Sequence, residues 1–211
     1  MKVISVNIGE PKEIIWEGKK YHTGIYKYPV EDSIFLGQTD VKDDHVIDRR
    51  YHGGIDKACY AFSADAYSHW ESLYPNLNFL PGMFGENLTI QNLEEDKIHI
   101  GDTFTVGKAI IQVTEPRQPC IKLNIRFNSK TMIKEFIEHG RCGVYFRVIQ
   151  SGNVKSGDRI SKIENGIQPI SVYEVFRLLY GIGEKEKALA LLNNEELGNS
   201  VRPEIKRIWK L

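Results

Sequence analysis

Apolar and polar residues alternate in short runs as far as about residue 165, and beyond it the apolar positions recur at helical spacing. Residues 1–7 set Val3 and Ser5 against Ile4 and Val6, which predicts a buried first strand. Residues 13–16, 18–21 and 24–27 are β-like segments punctuated by glycine and predict a meander. Pro29, Glu31 and Asp32 mark a turn, residues 34–36 a further short strand, and residues 43–45 a loop. The apolar run 58–62 predicts a core strand with Cys59 packed inside it. From Ser63 a helix is expected to about residue 74, with Tyr67, Trp70 and Tyr74 on its buried side and Pro75 ending it.

The same reading places strands at 97–100, 103–106 and 109–113, the last two joined by Gly107-Lys108 as a two-residue type II′ hairpin. A helix beginning at Ser129 carries Met132, Ile133, Phe136 and Ile137 on one face and stops at Gly140. Strands at 143–149 and 156–163 complete a β-rich region, with Cys142 leading into the first of them as a packing or semi-exposed residue without assigned chemistry. Ser171 and Glu174 then form a capping box ahead of a stripe of Val172, Val175, Phe176 and Leu179. A second helix is expected over 184–193, with Ala188, Leu191 and Leu192 inward. Pro203 opens a third, whose apolar side is Ile205, Ile208 and Trp209. The expected domains are a β-rich 1–165 and a three-helix appendage, 166–211. So short a helical piece cannot bury a core of its own, so it should dock on the β region or on a second copy of the chain as a homodimer.

Composition narrows the function classes. With 41% hydrophobic and 27% charged residues the chain reads as an ordinary soluble protein. Lys+Arg and Asp+Glu both number 28, so a broad surface for a nucleic-acid polymer or a membrane is not indicated, and whether there is a local basic pocket is left for clustering to decide. No apolar run is long enough to span a bilayer, and the N-terminus lacks a signal-peptide core. Three cysteines without framework spacing suit a reducing compartment, so a cytoplasmic location is expected. There is no CxxC, HExxH or paired Cys/His spacing of the kind that holds zinc.

The chemistry concentrates in three loops. In Glu115-Pro116-Arg117-Gln118-Pro119-Cys120 the prolines fix φ at two points and stiffen the loop that carries the thiol. Arg117 and Lys122 flank Cys120, and nearby cations favour a thiolate. One reading makes Cys120 a ligand or nucleophile; the other makes it a small buried hydrophobe. In residues 48–57, Arg49, Arg50 and Lys57 crowd around His52, Gly53 and Gly54, and paired glycines let backbone N–H groups approach a ligand or simply make a turn. In residues 81–90, Gly82 and Gly85 deliver Glu86 and Asn87 just ahead of a strand, either toward a ligand or to tie down the loop's own backbone. If the loops converge, Arg49, His52, Lys57, Arg117, Lys122 and Arg126 form a cationic pocket around one thiolate. Such a pocket suits an anionic, phosphate-bearing ligand with an atom soft toward sulfur.

Arg49-x-x-His52-Gly-Gly-x-Asp56-Lys57, Gly82-x-x-Gly85-Glu86-Asn87-Leu88 and Glu115-Pro116-Arg117-x-Pro119-Cys120-x-Lys122, in that order, resemble the signatures of the MOSC family, named for the molybdenum cofactor sulfurase C-terminal domain. Their spacing is similar to that of its bacterial YiiM-like branch, which also carries a C-terminal three-helix segment. The resemblance implies a mainly β, barrel-like MOSC fold that binds the molybdenum cofactor, a pyranopterin with dithiolene sulfurs and a phosphate. It implies that Cys120 coordinates molybdenum, or carries sulfur in transfer-type members. It further implies that Arg49, His52, Lys57, Arg117 and Lys122 hold the cofactor's anionic groups, that Gly53, Gly54 and Gln118 complete the cofactor-binding set, and that Asn87 bonds the pterin or substrate.

The activity implied by the YiiM-like branch is a two-electron reduction of N-hydroxylated compounds, including hydroxylaminopurine base analogues, to amines. His52 and Glu86 are then the candidate catalytic proton donors beside Cys120. The chain shows no GxGxxG after a strand and no haem-attachment CxxCH, so electrons are expected from a partner reductase. Two other classes stay open: a sulfur carrier or transferase using a Cys120 persulfide from an external donor, and a cofactor-binding module without chemistry.

Overall fold

The computed structural model describes residues 1–47 and 53–211. In chain order its strands are β1 (Lys2–Gly9), β2 (Lys12–Trp16), β3 (Lys19–Thr23), β4 (Lys27–Pro29), β5 (Ile34–Leu36), β6 (Cys59–Ser63), β7 (Leu88–Gln91), β8 (Thr103–Val106), β9 (Ala109–Pro116), β10 (Val144–Gln150), β11 (Gly152–Val154) and β12 (Ile160–Glu164). Its helices are α1 (Tyr67–Leu73), α2 (Ile121–Phe127), α3 (Met132–His139), α4 (Val172–Leu178), α5 (Lys185–Leu192) and α6 (Arg202–Trp209). Among the described residues no helix is long and apolar enough to cross a membrane.

Strand β1 is hydrogen-bonded along both edges, and this curls the main sheet into a barrel. One edge pairs with β7. The other pairs with β4 over Asn7–Gly9 and with the approach to β12 near its start. There Val3 N donates to Asp158 O at 2.9 Å and Val3 O accepts from Gly157 N at 2.9 Å. From β12 the order runs β8, β9, β10, β6, β7 and back to β1, antiparallel except for the β6–β7 pair. Parallel neighbours need a crossover, and this one carries α1 and the loop that delivers Glu86 and Asn87. The fold is therefore mainly β and barrel-like, as the resemblance implies.

Below the β6–β7 crossover lies an aromatic layer. Phe62 stacks on Phe84 with ring centroids 4.0 Å apart, and Trp70 and Phe136 close the layer from α1 and α3. The expected helix from Ser63 begins with a 3-10 turn over Ala64–Ala66, and Leu73 at its end is exposed. Helix α4 opens on the expected capping box, Glu174 N donating to Ser171 Oγ at 3.2 Å and Ser171 N to Glu174 Oε2 at 3.0 Å. Val172, Val175, Phe176 and Leu179 are buried in the same hydrophobic core as the barrel strands, together with Ala188, Leu191 and Ile205. The stripe that pointed to a second copy of the chain is thus covered within the chain itself.

Three expectations need correction. Residues 97–100 form no strand: Ile98 and Ile100 are buried, but Ile100 N donates to Ile170 O at 3.0 Å and the segment keeps one isolated bridge, His99 to Ser171. Alternating burial there comes from side chains anchoring a turn, not from a ladder. Helix α2 and strand β11 were not foreseen. Helix α2 starts immediately after Cys120, which is still extended (φ −132°, ψ 172°) as its N-cap, and it buries Leu123 and Phe127, four apart on one face, with Asn124 and Ile125 beside them. The next helix starts at Met132 rather than Ser129, whose side chain instead accepts a bond from Tyr74 Oη at 3.1 Å.

Candidate functional site

A cavity opens where the β3–β4 connection, residues 44–47, the turn at Gly53–Ala58, the loop before β7 and the start of α2 meet. Its empty volume is about 650 Å³ with the open mouth included. Two glycines make the approach possible. Gly82 (φ 90°) and Gly85 (φ 80°) hold positive φ, and a Cβ on Gly82 would stand 2.6 Å from Lys27 O, one on Gly85 2.9 Å from Ile25 Cγ1.

Cys120 stands at the N-cap of α2, partly exposed, and lines this cavity. The two other thiols are of a different kind. Burial pushes Cys59 up to about 12 and Cys142 well above its ordinary value, as expected of packing residues.

Arg117 enters the cavity from the end of β9 and is 4% exposed. Its guanidinium lies 5.4 Å from the ring centroids of both Tyr60 and Phe136, and its Nη1 is buried with no hydrogen-bond partner. Burial works against its charge, but Tyr60, Cys120, Tyr145 and Glu86 around it outweigh that and hold its pKa above the ordinary value. A buried guanidinium nitrogen without an acceptor costs stability unless a ligand supplies one. Lys122, half-buried on the first turn of α2, also lines the cavity and pairs with no carboxylate among the described residues.

Lys57 lines the cavity too, yet its Nζ is 2.9 Å from Glu115 Oε1. Glu115 is 1% exposed and also accepts from Ser200 Oγ at 2.8 Å. Neighbouring Asp56 turns away from the cavity, pairing with Arg147 and accepting from Asn199 N at 2.9 Å. Both carboxylates therefore seat the segment before α6, which the sequence reading had separated from the site.

Gly53 is in the cavity wall; Gly54, Gln118 and Arg126 are not. Arg126 lies over Tyr26 and Tyr28 instead, so it is removed from the expected pocket. Arg49 and His52 lie outside the described residues. Asn87 reaches the wall, but its amide is spent: Oδ1 accepts from Tyr60 N at 3.3 Å, and Nδ2 donates to Asn7 O at 3.4 Å and Asp44 Oδ2 at 3.0 Å.

Glu86 is fully buried and does not line the cavity. It accepts from Gly82 N at 2.8 Å, Phe84 N at 3.1 Å and Thr89 Oγ1 at 2.8 Å, and from the Tyr67 hydroxyl. Burial pushes its pKa up against these bonds. Its place is that of a carboxylate tying down loop backbone, the alternative the sequence had left open.

The sequence reading missed a polar group in the wall. Lys27, 7% exposed, is ion-paired with Asp44, whose Oδ1 also accepts from Gly9 N at 3.0 Å. Both line the cavity. The Asp43-Asp44 pair was a visible signal, but nothing local connects it with a lysine on another strand. Among the described residues no group of three or more His, Cys, Asp or Glu is placed to hold a metal alone. One soft thiol in a cavity with a guanidinium whose Nη1 has no acceptor fits a metal that arrives with its own sulfur ligands and an anionic tail.

Comparison with known proteins agrees with this geometry. The profile of the MOSC domain matches residues 48–161. YflK of Bacillus subtilis is 37% identical over 178 residues, covering 84% of this chain and 80% of that protein. A protein of Gibberella moniliformis named a reductase is 34% identical over 166 residues, which cover 77% of this chain and 29% of that much longer one. The crystal structure of YiiM from Geobacillus stearothermophilus superposes with a TM-score of 0.82 at 29% identity, covering 99% of this chain and 98% of that one.

Proposed function

The chain belongs to the MOSC domain family, and we propose that it binds the molybdenum cofactor and reduces N-hydroxylated compounds, such as hydroxylaminopurine base analogues, to amines with electrons from a partner reductase. The observation that carries this reading is the Cys120 thiol in one cavity with the unpartnered Nη1 of Arg117. Cys120 would ligate the metal, and Arg117 and Lys122 would take the anionic groups, with Arg49 and His52 added by motif position. When bound, the cofactor would supply a two-electron couple at a Lewis-acidic centre. The Gibberella moniliformis relative carries the name reductase, which favours reduction over sulfur transfer.

Converting R–NHOH to R–NH2 takes two electrons and two protons and releases water. A proton donor must stand in the wall of the cavity. The Lys27 ammonium, held by Asp44, does so, and Glu86 does not. We assign proton delivery to Lys27, alongside His52.

The test is elemental analysis of protein from a host that makes the cofactor, beside Cys120→Ala, followed by reduction of a hydroxylaminopurine with a dithionite-reduced viologen. Near-stoichiometric molybdenum that falls in the variant, with turnover in the wild type, is the expected result. No metal in either protein despite demonstrated cofactor supply would overturn it. Sulfane sulfur released by cyanide from metal-free wild type would move the assignment to a Cys120 persulfide.

A further inference from the structure

Behind one wall of the cavity lies a second group of cations that the proposed reaction does not use. Along the chain, Ile25 and Lys27 face the cavity, and Tyr26 and Tyr28 alternate to the other side. Lys12 Nζ donates to Tyr28 Oη at 3.1 Å, and Arg126 Nη1 donates to the same oxygen at 3.4 Å. The two cations also share Tyr26, Lys12 Nζ at 4.8 Å and Arg126 Cζ at 4.4 Å from its ring centroid. Two positive groups thus converge on one phenol oxygen. Ring faces of Tyr26 and Tyr28 and the Tyr28 oxygen ease the mutual repulsion of the two cations, and no described counter-charge does. Neither has a carboxylate partner among the described residues, and the nearby acids Glu13 and Glu17 are engaged by Lys20 and Lys130. Arg126 Nε is buried without a hydrogen-bond partner. The bonds from Arg126 and Lys12 hold the Tyr28 hydroxyl below its ordinary pKa, in keeping with a strongly positive site.

This group is continuous with the cavity. Lys122 lines the cavity, and Arg126 stands four residues later on α2. Residues four apart share a helix face, about 5–6 Å between Cβ atoms. Arg117 inside, Lys122 at the lip, and Arg126 with Lys12 outside form a basic track leading out of the site. At its outer end the N–H groups of Arg126 and Lys12 not directed at Tyr28 Oη, together with the Tyr28 O–H, bring three kinds of donor side by side. Three donors of that kind match the oxygens of a phosphate monoester better than the two of a carboxylate.

We propose that Lys12, Arg126 and Tyr28 form a phosphate-binding site at the rim, taking the phosphate of a ligand whose reactive end lies beside Cys120. Resting on the function proposed above, this makes the preferred substrates N-hydroxylated nucleotides rather than free bases. The two claims separate experimentally, because phosphate recognition is measurable without turnover.

Adenosine and adenosine 5′-monophosphate serve as probes in calorimetric titrations at low salt, with wild type, Arg126→Gln, Lys12→Gln and Arg126→Lys. The monophosphate should bind wild type at least tenfold more tightly than the nucleoside. That preference should weaken with salt, vanish in both glutamine variants and partly return in Arg126→Lys, while adenosine binding stays unchanged. Equal affinities in wild type would overturn the site, as would a preference that survives both glutamine substitutions. A polyglutamate peptide that binds through Arg126 while the monophosphate does not would also overturn it, reassigning the cluster to an acidic protein surface. In loaded enzyme, Arg126→Gln should raise KM for an N-hydroxylated nucleotide with kcat unchanged and leave the free base unaffected. A monophosphate preference in a protein that reduces none of these compounds would uphold the site and sink the reductase reading.

Discussion

The two signature loops that flank the cavity each have two sides, and the sides are built on opposite rules. Toward the C-terminal helices, charges are matched: Glu115 with Lys57 and Ser200, Asp56 with Arg147 and Asn199. Toward the cavity, Arg117 keeps a buried nitrogen without an acceptor and Lys122 has no described acid. Asp56 and Lys57 are adjacent, and Glu115 and Arg117 are two apart, so the division is made within a few residues. A matched buried pair holds two segments together, whereas an unmatched buried cation only costs stability until something binds. The acids of these motifs therefore tie the seam together, and the unmatched cations are the groups that the proposed function gives to a ligand.

The largest effect expected from this contrast is on the matched side. Lys57→Met strands the Glu115 carboxylate, and breaking a buried pair from one side costs about 3–5 kcal/mol. Urea denaturation should show it in protein free of any ligand. A loss under about 1 kcal/mol would mean that Glu115 simply takes up a proton, in the direction burial already pushes it, and that charge matching does not hold the seam. Arg117→Met should behave in the opposite way. The free protein should be as stable as wild type or more so, while cofactor occupancy falls. A lost charge-assisted hydrogen bond of about 1.5–3 kcal/mol corresponds to roughly 10–100-fold in affinity. Melting temperature measured beside pterin and molybdenum content checks both halves, and a variant that unfolds would erase the distinction between the two sides.

That distinction was half legible in the sequence. The barrel strands, the capping box at Ser171 and the three loops could be read because periodicity and turn chemistry are local. Cys120, Arg117, Lys57 and Lys122 could be brought together on residue chemistry, and the cavity does contain them. What could not be read is direction. Glu86 and Asn87 stand side by side in one motif, yet one faces the core and the other the cavity wall. Arg126 carries the same charge as Lys122 and shares its helix face, but one turn farther on it lies over Tyr26 and not in the cavity wall, on a helix hidden by the prolines before it. Lys27 and Asp44 meet only through the fold. Nothing in residues 198–200 marks them as the seat of two motif carboxylates.

A smaller effect should come from Ser200→Ala, which removes a hydroxyl donor to Glu115 but leaves Lys57 in place. About 1.5–3 kcal/mol is expected for a hydrogen bond to a charged group. Cofactor content should stay near wild type, because the loss falls on the seam. Reduced content without reduced stability would instead tie Ser200 to the cavity through Lys57, and the two sides would not be independent.

The smallest effect separates the two acids of the seam by pH. Burial raises the Asp56 pKa, but bonds from Asn199 and Arg147 outweigh it and hold the carboxyl below its ordinary value. Its contribution to stability is therefore present above the ordinary carboxylate range and lost as pH falls through the lowered folded-state value. Glu115 has the other sign: burial dominates and raises its pKa, so ionising it costs stability and acid relieves that cost. Asp56→Asn should accordingly flatten the acid end of a stability curve measured from pH 7 down to pH 3, without steepening it near neutrality. An acid limb as steep as wild type would show that Arg147 and Asn199 hold Asp56 no better than water does, and the matched side would then rest on Glu115 and Lys57 alone.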